Sequence, residues 1–158
     1  MRILGIDPGF ERLGIAILER FPRSKERVLF SECFKTSAKL EFSGRLKLIG
    51  EEVRKIIKEY KPEVLSIETL FLTTNHKTVM RVAEARGVVI YEASRANLKI
   101  FEASPPQIKI AITGYGKSDK AQMIKMVKIL VKIDESKKSD DELDAIAIAL
   151  TAFAHLRF

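Results

Sequence analysis

Residues 3 to 18 read ILGIDPGFERLGIAIL, two apolar runs separated by Asp7, Pro8 and Gly9. Each run has the length and composition of a short strand, and a Pro-Gly break is turn chemistry, so residues 2 to 7 and 13 to 19 predict an antiparallel hairpin. A third run at residues 27 to 34 follows the polar stretch around Pro22 to Lys25 and extends the hairpin into a meander. The first strand ends on a carboxylate. Asp before Pro-Gly is ordinary in turns, so Asp7 by itself signifies no more than a turn.

Further along, Leu46, Ile49, Val53, Ile56 and Tyr60 recur at helical spacing, and Lys61-Pro62 closes that segment, which predicts a helix over residues 43 to 60. The run VLSIE, residues 64 to 68, then reads as a strand returning parallel through a helical crossover, and it also ends in a carboxylate, Glu68. Residues 77 to 92 suit a helix interrupted by Gly87, and residues 98 to 102 suit a strand. Pro105-Pro106 opens a short helix, where proline is tolerated. Residues 119 to 133 form an amphipathic helical pattern, 134 to 142 a charged loop, and 143 to 156 an almost wholly apolar helix. This order predicts an α/β fold whose mixed central sheet has three antiparallel strands followed by parallel ones, flanked by helices.

A chain of 158 residues suits a single domain, residues 1 to 158. Its 46% apolar and 31% charged residues exclude the composition of disordered chains. No apolar stretch is long enough to span a bilayer, and the first residues lead into a strand rather than a signal peptide, so a cytoplasmic protein is expected. Cys33 is the lone cysteine, and His76 and His155 are far apart, which excludes an internal disulfide and a thiolate-imidazole zinc site. Any metal must therefore be held by oxygen. The 28 Lys and Arg against 21 Asp and Glu leave a net charge of +7, which favours a polyanion such as nucleic acid without requiring one.

Against that background four acids stand out. Glu68 closes a parallel strand, where open α/β sheets place ligand groups. Asp141 and Asp144 lie three residues apart, on one face of the last helix. Acids near a helix start complement its dipole, which accounts for Asp140, Asp141 and Glu142. It accounts poorly for Asp144, which is followed by AIAIAL and is expected to be partly buried. Buried carboxylates need partners or a metal, and four of them meeting at one place need a cation. All-oxygen ligation selects Mg2+ or Mn2+, and such ions suit phosphodiester hydrolysis.

The motifs GIDPG with LGIAI, IETLF, EARGVVI, PPQIKIAITGYGKSDKAQM and DDELDAIAIAL occur in this order from residue 3 to about residue 151, and together they resemble the RuvC family of Holliday junction resolvases. The resemblance implies a ribonuclease H-like fold and a homodimer that nicks four-way junction DNA symmetrically in homologous recombination and repair. It implies RuvA and RuvB as branch-migration partners, and one or two Mg2+ ions per subunit, with Mn2+ substituting. By motif, Asp7, Glu68, Asp141 and Asp144 correspond to the family's catalytic, metal-binding tetrad. Asp140 beside Asp141 is a second candidate for the third position, and helix phase favours Asp141. Phe71 corresponds to an aromatic that stacks on bases at the crossover, and Lys109 and Lys120 to lysines near the phosphates.

Other features remain open to two readings. Gly114 and Gly116 would let backbone amides approach a phosphate, and Lys125, Lys128, Lys132, Lys137 and Lys138 form either a DNA-facing ridge or a wet helix face. The segment HKTVMRVAEARGVVIYEA resembles the family's dimer helix, and Ala83, Ala85 and Gly87 would equally permit packing on the chain's own sheet. Phe10 and Glu11 stand where the family has small polar residues, and Ser118 where it has alanine. The competing functions are a nucleotide-binding ATPase, for which the chain is too short, a ribonuclease of the same fold, and a junction-binding protein that does not cut.

Overall fold

The computed structural model describes residues 1–70, 76–131, 133 and 138–156. Strands β1 (Arg2–Asp7), β2 (Arg12–Glu19) and β3 (Arg27–Lys35) form the expected meander. Helix α1 (Phe42–Tyr60) leads to β4 (Val64–Glu68), and α2 (His76–Arg95) leads to β5 (Lys99–Ala103). Helices α3 (Pro105–Thr113), α4 (Lys120–Val131) and α5 (Asp140–His155) follow. The strands form one sheet in the order β3-β2-β1-β4-β5, antiparallel from β3 to β1 and parallel from β1 to β5. Phe71 and the lysines at 132 and 137 lie outside the described residues.

Two elements differ from the sequence expectation. Helix α2 runs through Gly87 without interruption, because a glycine in a helix interior costs only about 1 kcal/mol and the burial of Ala85, Val89 and Ala93 on the same helix outweighs it. Helix α5 begins at Asp140, ahead of the apolar run that opens at Leu143. The Ser139 hydroxyl accepts from the Glu142 amide and the Glu142 side chain accepts from the Ser139 amide, a capping box that nucleates the helix inside the charged segment.

Successive residues of a strand face opposite sides of the sheet, and here the two parities have different neighbours. Leu4, Ile6, Leu13, Ile15, Ile17, Leu65 and Ile67 pack under α1 and α2 with Ile49, Val53, Ile56, Ala85 and Val89. Ile3, Ala16, Leu18, Val64 and Ala103 face the other way, into a layer built from α3, α4 and α5. Asp7 and Glu68 share the parity of Ile3 and Val64. Both carboxylates therefore end their strands on the face that α5 covers.

Helix α5 lies against the strands with almost nothing between. A Cβ on Gly5 would collide with the Ala145 carbonyl oxygen and come within 2.8 Å of the Ala149 Cβ, while a Cβ on Gly14 would collide with the Asp141 carbonyl oxygen. Alanines at 145, 149 and 152, at helical spacing, supply the small face that this approach requires, and all are buried. The fully buried Ser66 hydroxyl donates to the Ile148 carbonyl at 2.7 Å and ties β4 to the same helix.

The turn after Asp7 is fastened from the other side. Thr36 donates through its amide to the Glu11 carbonyl at 3.0 Å and through its hydroxyl to the Phe10 carbonyl at 2.5 Å. Phe10 meets Phe42 edge to face at 5.7 Å, with the Arg45 and Arg81 guanidinium groups over these rings. Hence the turn is packed into the domain, although its residues are polar or glycine in part.

Gly5→Ala is expected to lower stability by roughly 1–3 kcal/mol, the usual result of overpacking a close-packed core. Urea denaturation measures this, and an unchanged midpoint would show that α5 is not seated as tightly as the backbone distances state.

Candidate active site

A cavity of about 240 Å³ opens where β1 and β4 end beneath α5, and it is lined by Asp7, Glu68, Pro105, Ile108, Lys109, Lys120, Met123, Asp144, Ala147 and Ile148. Three of the four acids singled out from the sequence thus share one cavity with both candidate lysines. Each arrives from a different element: Asp7 from β1, Glu68 from β4, Asp144 from α5, Lys109 from α3, and Lys120 from the first turn of α4.

The pairing register explains the meeting of Asp7 and Glu68. The last parallel rung joins Ile6 to Ile67, so each acid follows that rung by one residue, as the last residue of its strand and on the same face. Arg86 of α2 donates through Nε to the Glu68 carbonyl at 3.0 Å and also bonds the Glu102 carboxylate, which pins the end of β4. Asp144 comes one helical turn after Asp141, whose carbonyl stands over Gly14. Its side chain is 41% exposed, more open than the apolar run after it suggests, because that side of α5 faces the cavity.

Gathering acids in a partly dry place opposes their ionisation. Asp7 is pushed up to about 7, first by burial and then by the charges of Asp144, Glu68 and Asp141, with Lys120 acting in the other direction. Burial, then the charge of Asp144, holds Glu68 above the ordinary carboxylate range. Asp144 is raised by burial against the opposing pull of Lys120. Lys120 is itself held above the ordinary lysine range, foremost by its hydrogen bond to Asp140. All three cavity acids therefore favour a positive neighbour.

Asp141 is placed differently. Its Oδ2 accepts from Arg12 Nε at 2.9 Å, from Arg12 Nη2, and from the Cys33 thiol at 3.4 Å, and its carboxylate does not line the cavity. Burial works to raise it, but the Arg12 and Cys33 hydrogen bonds prevail and leave it below the ordinary range. Asp140 is likewise engaged, with its carboxylate 3.0 Å from Lys120 Nζ, which also stands 3.6 Å from Asp144. Among the described residues, no three acid, histidine or cysteine side chains are close enough to form a ready metal cage. The expectation that four carboxylates converge is thus met by three, while the fourth is turned toward an arginine.

Arg12 and Cys33 were not anticipated as part of this neighbourhood. The signal that exposes them is parity combined with register: Asp7 pairs with Gly14, Gly14 with Cys33, and Arg12 lies two residues before Gly14 on the same face. Gly114 also has a different task from the one considered for it. It caps α3 in the left-handed conformation, and its amide donates to the Ile110 carbonyl at 2.9 Å, so that amide is not available to a phosphate.

A mixed sheet of order 3-2-1-4-5 carries acids at the adjoining ends of its first and fourth strands, and a helix brings further acids across them. This is the ribonuclease H-like class of carboxylate-bearing folds. The family model described as crossover junction endodeoxyribonuclease RuvC matches residues 3–152, and the chain belongs to that family. The crossover junction endodeoxyribonuclease RuvC of Thermosipho melanesiensis is 41% identical over 158 residues, spanning both chains completely. That of Caldicellulosiruptor saccharolyticus is 44% identical over 150 residues, 95% of this chain and 90% of the relative. Among solved structures, T. thermophilus RuvC in complex with Holliday junction substrate superposes with a TM-score of 0.92 at 29% identity, spanning 98% of this chain and 94% of that one.

The pH dependence of stability follows from Asp7. Its folded value lies above the unfolded value, so the native state holds the extra proton, and stability is lost as pH rises through the interval from 3.8 to about 7. Metal-free Asp7→Asn is expected to be more stable than the wild type above that interval, by roughly 1–4 kcal/mol, with the gain vanishing below it. Thermal melts in chelator across pH measure the difference, and a gain independent of pH would mean that Asp7 is not ionising under strain.

Proposed function

We propose that this chain resolves four-way DNA junctions by divalent-metal-dependent phosphodiester hydrolysis, acting in homologous recombination and repair. The observation that carries the reading is the cavity in which Asp7, Glu68 and Asp144 stand with Lys109 and Lys120, in a chain of the crossover junction endodeoxyribonuclease family.

The residues present suit a hard divalent cation. Their donors are carboxylate oxygens only, and the raised Asp7 is the mark of a site that lacks a positive charge its acids favour. Asp7, Glu68 and Asp144 would hold Mg2+, with Mn2+ substituting and one or two ions per subunit, and Asp141 would join them once released from Arg12. A bound ion supplies an acidified water as nucleophile and offsets charge on the phosphate oxygens. The protein does the rest. Lys109 and Lys120 face the cavity as point charges that orient the scissile phosphate and offset its developing charge. Pro105, Ile108, Met123 and Ile148 wall the cavity with apolar surface, which limits stray water and strengthens these interactions. Lys120 would exchange its contacts with Asp140 and Asp144 for the phosphate.

The wider assembly is part of the same reading. Phe71 would stack on bases next to the cut, and the protein would act as a homodimer with RuvA and RuvB in the cytoplasm. Helix α2 presents Met80 and Tyr91 to solvent, both more than half exposed, which suits the dimer contact. Among the described residues no helix is long and apolar enough to cross a membrane. The net charge of +7 suits binding to phosphate backbones.

Asp7→Asn and Glu68→Gln are expected to bind a labelled four-way junction about as well as the wild type and to cut it at least roughly 100-fold more slowly, since even outer-shell changes at metal sites cost 10–100-fold. Undiminished cutting by either variant, or by the wild type in excess chelator, would remove the assignment. Presenting structured RNA in parallel separates this activity from a ribonuclease of the same fold. Junction affinity is expected to fall linearly, on logarithmic axes, with rising salt as phosphate contacts release counterions, and a flat response would exclude backbone recognition.

A further inference from the structure

We infer that Arg12 is an internal counter-cation for Asp141, a positioning residue that keeps this carboxylate turned from the cavity until a divalent ion competes for it. The inference rests on the reading of Asp141 as a metal ligand.

One oxygen of Asp141 receives both the Arg12 and the Cys33 contacts. Arg12 donates to Oδ2 through Nε at 2.9 Å and through Nη2, and the Cys33 thiol donates to it at 3.4 Å. Charge-assisted bonds from a planar fork are among the stronger side-chain interactions, and they fix the orientation of the carboxylate. The arrangement is also releasable. The Arg12 side chain is 51% exposed whereas that of Asp141 is 21% exposed, so the fork can swing into water while the acid stays in place.

The backbone makes the contact possible. Gly14 admits the first turn of α5 directly over β2, and Arg12 precedes it by two residues on the same face. Asp140 and Asp144 have a weaker holder: Lys120, a flexible point charge, is shared between Asp140 at 3.0 Å and Asp144 at 3.6 Å. Arg12 and Lys120 thus offset Asp140, Asp141 and Asp144 in the absence of a divalent ion. Of the two, only Arg12 lies outside the cavity wall. Its grip on Asp141 opposes ion binding.

The test is Mn2+ binding to the full chain without DNA, followed by titration calorimetry and by the loss of free-ion paramagnetic resonance signal. Arg12→Gln is expected to tighten Mn2+ binding about tenfold, the change that corresponds to roughly 1.4 kcal/mol. Arg12→Lys, which keeps the charge and loses the fork, is expected to tighten it by a smaller factor. Asp141→Asn is expected to weaken binding, and in that background Arg12→Gln is expected to have no effect. Unchanged or weaker binding in both Arg12 variants, with circular dichroism as in the wild type, overturns the inference and leaves the metal reading intact. Tightening that persists in the Asp141→Asn background also overturns it, because the effect is then a general field rather than a hold on one carboxylate. Equal Mn2+ affinity in the wild type and Asp141→Asn refutes Asp141 as a ligand, and with it the inference.

Discussion

The direct seating of α5 on the backbones of β1 and β2 is the constraint on which the site depends. At Gly5 and Gly14 the helix backbone stands where a side chain would otherwise be, and its alanines keep the approach close along its length. Proteins are packed densely enough that one methyl group in such a contact displaces an element. Were α5 displaced, Asp144 would be carried from Asp7 and Glu68, since only this helix brings it there. The buried hydrogen bond from Ser66 to Ile148 fixes the position of the helix along β4 as well.

Given that frame, electrostatics runs against folding at the cavity and for function. Burial and mutual repulsion raise Asp7, Glu68 and Asp144, while Arg12 offsets Asp141 and Lys120 offsets Asp140 and Asp144. A site that is uncomfortable without a cation is one that binds a cation readily, because the strain is relieved on binding. The stability given up locally is small beside two apolar layers that enclose the sheet on both faces.

Much of this was legible in the linear sequence. The meander, the crossover to β4 and the alternation of strands with helices follow from short apolar runs and turn residues, and the observed elements agree in order and nearly in extent. Glu68 stood out because a carboxylate that ends a parallel apolar strand is out of keeping with its neighbours, whereas Asp7 before Pro-Gly is by itself turn chemistry. The start of α5 was less apparent: charged residues resemble a loop until the pairing of Ser139 with Glu142 is noticed. The continuity of α2 through Gly87 was hidden because a local propensity was weighed without the packing that overrides it.

What the amino-acid order determined by itself is the set of elements and their buried faces, because periodicity and turn chemistry act over a few residues. What tertiary structure alone decided is which acids meet. Arg12 and Asp141 are 129 residues apart in the chain, and nothing local to either announces the other. Their contact exists because β2 pairs in one register with β1 and because α5 crosses the strands at a glycine. Partner choice among charges is a matter of distances of a few ångströms, and such distances are set by the packing of the whole domain.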